Sequence, residues 1–191
     1  HGSPASVLDL KETGVATGVP TDTIRVLFAT QSGNSRKLAQ LFGTEAQNYK
    51  LKVEVNDMAE YDPNKLRKEK FLVIFCSTQG EGDPPLSGEE FFSFIHSSRI
   101  NNLNQLNYAV LSLGDRNYVN FCKVGRDIDK KLKQLGATPI IPAGECDVDF
   151  QEVASQWITS LNERFQILQQ TGVDKPSVIT AGKGLQRNGQ P

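Results

Sequence analysis

The feature that most constrains the fold is a continuous apolar run at residues 71–76, Phe-Leu-Val-Ile-Phe-Cys. The run is short for a helix, and its β-branched and aromatic residues favour extended structure. Because successive side chains of a strand point to opposite faces of a sheet, a run without a polar position predicts a strand that is covered on both faces. Such strands are typical of parallel sheets with helices packed on each side.

The segments around this run alternate between strand and helix patterns. Other strands are predicted at Thr23–Ala29, Lys52–Asn56, Tyr108–Leu113 and Pro139–Ile141. Helices are predicted at Ser35–Tyr49, around Phe91 to Ile95, around Val124 to Leu135, and along an apolar stripe of Phe150, Val153, Ala154, Trp157, Ile158, Leu161, Phe165 and Leu168. Five strands alternating with helices predict an α/β fold, a parallel sheet with helices on both faces.

The aromatic residues mark the extent of the folded domain. All of them, 10 Phe, 4 Tyr and 1 Trp, lie between Phe28 and Phe165. We therefore expect a domain at residues 23–168, preceded by an N-terminal extension with a tag remnant at 1–22 and followed by a C-terminal linker at 169–191. A domain of that size buries about two thirds of its unfolded surface, which is enough for a hydrophobic core without disulfides.

Charge and composition exclude several classes of function. A net charge of -1 gives no electrostatic reason to expect a nucleic-acid partner, and no apolar run approaches the ~20 residues of a membrane span. The 3 cysteines form no Cys-x-x-Cys pair, which favours a reducing, cytoplasmic location over a disulfide or zinc framework. Apart from His1, the single histidine is His96, so neither a histidine-based catalytic triad nor a multi-histidine metal site is expected.

Polar loops follow the predicted strands, where open parallel sheets bind their ligands. The first loop, residues 30–35, opens directly into a helix, and unpaired N–H groups at a helix start form a phosphate site. It lacks the Gly-Lys-Ser/Thr ending of a Walker A loop. A capped helix without a ligand is the alternative interpretation. The first loop reads Thr30, Gln31, Ser32, Gly33, Asn34 and Ser35.

Two further loops have residues suited to a flat ligand. The second loop, residues 77–85, contains Gly80 and Gly82, which let a backbone approach a planar ring. The third loop, residues 114–122, carries Tyr118, an aromatic that can stack on a ring system. An ordinary surface loop and a tyrosine packed against its own protein are the alternatives. The acidic connection at 144–149 is expected to supply an N-cap to the last helix.

Together these loops, in this order after these strands, resemble the FMN-binding, flavodoxin-like domain of the diflavin reductases. The resemblance covers residues 24–165 and is greatest to the flavoprotein subunit of NADPH–sulfite reductase. It implies a three-layer sandwich whose five-stranded parallel sheet has the order 2-1-3-4-5. It also implies FMN as the cofactor.

The resemblance assigns the cofactor-binding residues loop by loop. The FMN phosphate is assigned to the six residues of the first loop, Thr30 to Ser35. One face of the flavin ring is assigned to Ser77, Thr78, Gln79 and Gly80. The other face is assigned to Leu113, Gly114, Asp115, Asn117, Tyr118, Asn120, Phe121 and Cys122, with Tyr118 as the stacking ring. Asp147 matches an acidic residue that contacts the cofactor. Microsomal cytochrome reductases have an aromatic at the position of Gln79, so we expect the flavin here to be stacked on one side only.

The implied function is electron transfer without a catalytic base or nucleophile of its own. In this scheme an FAD/NADPH-binding domain, on the same polypeptide in the full protein, reduces the FMN module. The module then passes electrons singly to an acceptor such as a sulfite reductase hemoprotein. The alternatives are the FMN module of another fused reductase, for example a pyruvate:NADP oxidoreductase, and a stand-alone flavodoxin-type carrier.

Two other classes share this fold type and are disfavoured by the residues. A phospho-receiver domain needs clustered acids at the end of the first strand, where this chain has Phe28, Ala29 and Thr30. A self-sufficient quinone reductase needs its own nicotinamide site, for which the sequence offers no motif.

The predicted flavin side is acidic. Residues 77–92 and 145–152 contain acidic side chains and no lysine or arginine. We expect these acids to form a rim that steers basic redox partners, and the alternative is that they are simply solvated.

Overall fold

A computed structural model describes residues 22–171 of the chain. The predicted extension at 1–22, apart from Asp22, and the predicted linker beyond Thr171 lie outside the described residues. The boundaries of the domain at 23–168 therefore stay predictions.

The described chain alternates strands with helices. Its strands are β1 (Ile24–Ala29), β2 (Val53–Asp57), β3 (Phe71–Ser77), β4 (Asn107–Leu113), β5 (Thr138–Pro139) and β6 (Gly144–Cys146). Its α-helices are α1 (Asn34–Ala46), α2 (Glu89–Ile95), α3 (Lys123–Gln134) and α4 (Gln151–Thr171). Short 3-10 helices lie at Gln47–Tyr49, Met58–Glu60, Pro63–Lys68 and Leu86–Gly88.

The strands form one parallel sheet with the order β2-β1-β3-β4-β5, and β6 also pairs with β4. Ile24 of β1 stands opposite Val53 of β2 on one side and Phe71 of β3 on the other. The predicted order 2-1-3-4-5 is confirmed. The connection from β1 leads to one side of the sheet and that from β3 leads to the other, so a crevice for a ligand is expected beyond their carboxyl ends.

The central strand β3 is buried on both faces, as its apolar run predicts. Leu72, Ile74 and Cys76 join a cluster with α2 and α3. Val73 and Phe75 join a second cluster with α1 and α4. Alternation along the strand thus supplies both halves of the core, which explains why the run contains no polar position.

The fifth strand differs from the prediction. Instead of one strand at Pro139–Ile141, two short pieces, β5 and β6, both pair with β4. Pro142, which carries no backbone N–H, lies between the two pieces, where the ladder is interrupted. Gly144, placed in a loop by the sequence, begins β6, where a Cβ would come within 2.9 Å of Leu111 and of Trp157.

The long helix α4 confirms most of its predicted stripe, with one error. Ile158, Leu161 and Phe165 are buried, whereas Val153 is 48% exposed. Val153 lies one turn before the half-buried Trp157, at the edge of the stripe rather than on it. Asn162, a polar residue that the pattern ignored, is fully buried in the same stripe.

Candidate cofactor site

The first, second and third loops meet at the carboxyl edge of the sheet and enclose an open cleft of about 390 Å³. Of the predicted site residues, the following line this cleft: Gln31, Ser32, Asn34, Ser77, Thr78, Gln79, Gly80, Leu113, Gly114, Asp115, Tyr118, Asn120, Phe121, Cys122 and Asp147. Thr30, Gly33, Ser35 and Asn117 belong to the same loops without forming the wall. Val148 and Phe150 line the cleft and were missed, because the sequence marks them only as apolar residues near the start of a helix.

The first loop leaves the start of α1 open to an anion. Gly33, the N-cap residue, has a φ of 90°, and its N–H donates to Oγ1 of Thr30 at 2.9 Å. Within the described chain no side chain caps α1, and its first turn contains no acidic residue. The N–H groups of that turn and the positive end of the helix dipole are therefore available to a negatively charged ligand.

Two buried serine hydroxyls at this edge lack a hydrogen-bond partner within residues 22–171. Ser35 in the first turn of α1 is 1% exposed, and its Oγ is unpaired. The Oγ of Ser77, at the end of β3, is also buried and unpaired. A buried hydroxyl without a partner is costly, and of these two residues Ser77 also lines the cleft, where its hydroxyl is a candidate donor to a ligand.

The second loop is a tight turn whose base is tied to α3. Gln79 and Asp83 exchange backbone hydrogen bonds at 2.8 and 2.9 Å, which closes the turn. Oγ1 of Thr78 accepts the N–H of Val124 at 3.1 Å and so caps the start of α3 from outside the helix. Gly80 has a φ of 45°, and a Cβ there would meet no atom within 4 Å, so the backbone at Gly80 borders open space.

Hydrogen bonds within the third loop fix its backbone, and its tyrosine is exposed. Oδ1 of Asp115 accepts the N–H of Asn117 at 2.8 Å, and the carbonyl of Asp115 accepts the N–H of Tyr118 at 3.1 Å. Tyr118 is nevertheless 62% exposed. A tyrosine packed against its own protein would be far less exposed, so the geometry favours a ring that is available for stacking.

Asp147 links the acidic connection at 144–149 to the third loop. Its Oδ1 accepts the backbone N–H groups of Arg116, at 3.1 Å, and of Val148, at 2.8 Å. These two bonds lower the pKa of the Asp147 carboxyl, and the guanidinium of Arg116 lowers it further. The carboxylate is thus ionised at neutral pH and shapes the cleft wall through the backbone.

Two of the four acids predicted to form an unopposed rim at 145–152, Glu145 and Asp147, are paired with arginines. Arg126 donates two hydrogen bonds to Glu145, at 2.9 and 2.6 Å, and Arg116 lies 3.6 Å from Asp147. The partners come from the third loop and α3, which are distant in sequence, so the local window did not contain them. The acids of the second loop and α2, Glu81, Asp83, Glu89 and Glu90, are exposed.

The three cysteines are free, buried thiols. Cys122 has a φ of 53° at the start of α3, and its Sγ donates to the carbonyl of Ser112 at 3.5 Å. Burial raises the pKa of Cys76 to about 12 and of Cys146 to about 11, and it also raises that of Cys122. The thiols therefore stay protonated at neutral pH and are poor nucleophiles.

The fold and the cleft define a class: a doubly wound α/β protein of the flavodoxin type, with an anion site at the first helix and an exposed aromatic at the opposite loop. The chain belongs to the flavodoxin family, whose model, described as Flavodoxin, matches residues 26–157. Membership in this family implies FMN as the cofactor. The uncapped start of α1 fits the phosphate end of FMN, and the exposed Tyr118 fits its ring.

The curated relatives extend the similarity beyond the fold. The chain is 35% identical over 82% of its length to the sulfite reductase [NADPH] flavoprotein alpha-component of Bacillus subtilis (strain 168), and 38% identical over 78% to that of Shewanella sp. (strain MR-4). It spans 26% and 25% of these proteins, about a quarter of their length. The resemblance inferred from the loops is thereby confirmed.

Solved structures with the same fold are flavodoxins. A short-chain flavodoxin associated with a bacterial microcompartment has a TM-score of 0.66 and 26% identity, covering 80% of this chain and 99% of that one. The flavodoxin of Streptococcus pneumoniae TIGR4 also has a TM-score of 0.66, at 23% identity, with 79% and 99% covered. Among residues 22–171, no helix has the length and apolarity needed to cross a bilayer.

Proposed function

We propose that the chain is an FMN-dependent electron-transfer module that binds the cofactor in the cleft at the carboxyl edge of the sheet. The observation that carries the proposal is that the two ends of one cleft offer different kinds of contact. One end offers the uncapped start of α1, where Ser32 and Asn34 line the cleft, and the other offers the exposed ring of Tyr118. A phosphate joined to a flat ring system is the ligand shape that uses both ends.

In this proposal the protein binds and orients while the flavin supplies the redox chemistry. The first loop holds the phosphate through backbone N–H groups and through the side chains of Ser32 and Asn34, which line the cleft. Tyr118 stacks on one face of the ring, and the second loop around Gln79 and Gly80 covers the other face without an aromatic. Asp147 supports the third loop from behind through the N–H of Arg116.

We further propose that the module works within an NADPH-dependent oxidoreductase. The two relatives described above are NADPH flavoproteins about three times as long as this chain, which leaves room for an FAD/NADPH-binding domain. Electrons would enter the module from such a domain and leave singly to an acceptor such as a sulfite reductase hemoprotein. The free thiols of the buried cysteines support a cytoplasmic location.

A partner surface next to the cleft is also part of the proposal. The acids Glu81, Asp83, Glu89 and Glu90 lie on the second loop and the start of α2 and are exposed. On the same side, Leu86 is 82% exposed. Negative charge around an apolar contact fits a partner with a basic docking face, and the attraction should weaken with salt.

The first experiment is reconstitution of the purified chain with FMN, followed by absorption and fluorescence. We expect a bound flavin spectrum and quenched flavin fluorescence at one equivalent of FMN. A chain that remains colourless after incubation with excess FMN would contradict the proposal. Reduction by NADPH is then expected only after an FAD-containing reductase domain is added.

Salt dependence tests the partner surface separately. The rate of electron transfer from the reduced module to its acceptor should fall as ionic strength rises, and it should fall less steeply in a Glu89→Gln, Glu90→Gln variant. A rate that is indifferent to salt would exclude steering by these acids and leave FMN binding untouched.

A second candidate function, a stand-alone flavodoxin-type carrier, is favoured by one observation. The short-chain flavodoxin with 26% identity is matched over 99% of its own length, so this fold also occurs as a whole protein. The gene sequence beyond residue 191 distinguishes the two candidates, because the fused module requires reductase domains downstream.

A further inference from the structure

The apex of the second loop, Gly80-Glu81-Gly82, contains two glycines, whose backbones can adopt many conformations. Hydrogen bonds nevertheless hold it in one conformation. Both glycines have positive φ, 45° for Gly80 and 108° for Gly82. The N–H groups of Gly82 and Asp83 both donate to the carbonyl of Gln79 at 2.9 Å, which closes the turn from below. These bonds leave the carbonyl of Glu81, at the apex, without a partner inside the turn.

One side chain from the third loop supplies that partner. Nδ2 of Asn120 donates to the carbonyl oxygen of Glu81 at 2.5 Å. The same side chain packs beside Gly82, where an added Cβ would lie 3.1 Å from Cβ of Asn120 and 2.6 Å from Cδ of Lys123. The base of the second loop is tied separately, through Thr78 and Val124.

The backbone that carries Asn120 is held in place by its neighbours. Phe121, the neighbour of Asn120, is 8% exposed, and the guanidinium of Arg116 lies 4.8 Å from its ring centre. Arg126 approaches the same ring at 5.7 Å and is bound to Glu145. Asn120 therefore projects from a fixed backbone onto the apex of the turn, where the carbonyl of Glu81 has no partner within the turn itself.

We infer that Asn120 is a positioning residue, which sets the orientation of the Glu81–Gly82 peptide and so the wall that the second loop presents to the flavin. The resemblance had assigned Asn120 to the cofactor itself. In the structure Asn120 lines the cleft, and its side-chain amide donates to the carbonyl of Glu81. A loop that is ordered before the ligand arrives binds it with a smaller entropic cost. The effect on FMN rests on the proposed function, whereas the effect on the turn does not.

The test is an Asn120→Asp variant of the 191-residue chain, which keeps the shape and removes the N–H donor. In flavin-free protein, amide hydrogen exchange at Gly82 and Asp83 should become about tenfold faster, while exchange in β1 and β3 stays unchanged. The FMN dissociation constant should rise about fivefold. An Asn120→Ala variant should behave in the same way, and Asn102→Asp, at an exposed position at the opposite end of the sheet, should change neither quantity.

The outcomes separate the possible roles. Faster exchange at the turn together with weaker FMN binding supports a positioning role. Weaker FMN binding with unchanged exchange would mean that Asn120 contacts the cofactor directly, which overturns the inference, as would no change in either measurement. If the unaltered chain failed to bind FMN, the proposed function would be wrong, and the exchange experiment would still decide whether Asn120 orders the turn.

Discussion

The first and third loops line the same cleft, but they satisfy their hydrogen bonds in opposite ways. The first loop leaves the N–H groups at the start of α1 uncapped and the Oγ of Ser35 unpaired. The third loop uses Asp115 for its own backbone, and Asp147 and Asn120 join it to the neighbouring loops. If FMN binds as proposed, its phosphate would meet unpaired donors, whereas its ring would meet a wall whose shape is fixed before binding.

The largest expected effect comes from placing a negative charge in the first loop. Asn34→Asp puts a carboxylate at the first residue of α1, beside the proposed phosphate position. Repulsion between the two anions should raise the FMN dissociation constant on the order of a hundredfold. The same carboxylate should stabilise the flavin-free chain by about 0.5 kcal/mol, because it complements the helix dipole. Fluorescence titration and urea unfolding measure the two effects.

Riboflavin, which lacks the phosphate, is the matched control ligand for this variant. Its affinity should be the same for the unaltered chain and for Asn34→Asp, and Asn102→Asp should bind FMN normally. Equal weakening of FMN and riboflavin would show that the phosphate does not lie at the start of α1, and the contrast between the loops would then be wrong.

The next effect concerns the exposed hydroxyl of the first loop. Ser32→Ala should raise the FMN dissociation constant about tenfold, since a hydrogen bond to a charged group contributes about 1.5 kcal/mol. The stability of the flavin-free chain should change little, because Ser32 is exposed at the cleft. Unchanged FMN affinity would show that the hydroxyl of Ser32 does not reach the phosphate.

On the opposite side of the cleft, a substitution of Tyr118 should weaken binding of the flavin ring whether or not the ligand carries a phosphate. Tyr118→Ala should weaken FMN and riboflavin equally, by about fivefold, as about 1 kcal/mol of stacking is lost. The stability of the flavin-free chain should change little, because Tyr118 is 62% exposed. Tyr118→Phe, which keeps the ring, should bind both flavins almost normally; unchanged affinity in Tyr118→Ala would refute the stacking role.

The smallest effect tests the internal bonding of the third loop through pH. Two backbone N–H groups lower the pKa of Asp147 below its usual value of 3.8. The ionised carboxylate therefore stabilises the folded chain above about pH 4, and this contribution is lost as the pH falls through the lowered pKa. Urea unfolding should show the unaltered chain to be more stable than Asp147→Asn at pH 7, with a difference that shrinks below pH 4. A constant difference would mean that the carboxylate charge is irrelevant.

Much of the fold could be predicted because it depends on local patterns. The uninterrupted run at 71–76 predicted a strand buried on both faces, and β3 is such a strand. The prediction of the fifth strand was less accurate, since the strand is divided around Pro142 and its second piece, β6, looked like a polar loop. Short pieces of strand are defined by their pairing with β4, which a local pattern does not contain.

The candidate site, like the fold, was predictable where it depends on local residue types and not where it depends on contacts between distant residues. The polar loops after the strands were visible as residue types, and the cleft gathers most of their predicted members. Which side chains face a ligand and which bind one another was not visible. Thr78 and Asn120 were assigned to the cofactor by resemblance. In the structure Thr78 accepts a hydrogen bond from the protein and Asn120 donates one to it. The acids Glu145 and Asp147 pair with arginines from elements that are distant in sequence.

The sequence by itself determined the order of strands and helices, the positions of the loops and the residue types at the cleft, because these depend on periodicity and local backbone preference. Only the tertiary structure decided which donors remain unpaired and which are already satisfied. Hydrogen bonds such as that between Asn120 and Glu81 join residues 39 positions apart. Such bonds form only after packing has brought the loops together, so no local pattern along the chain encodes them.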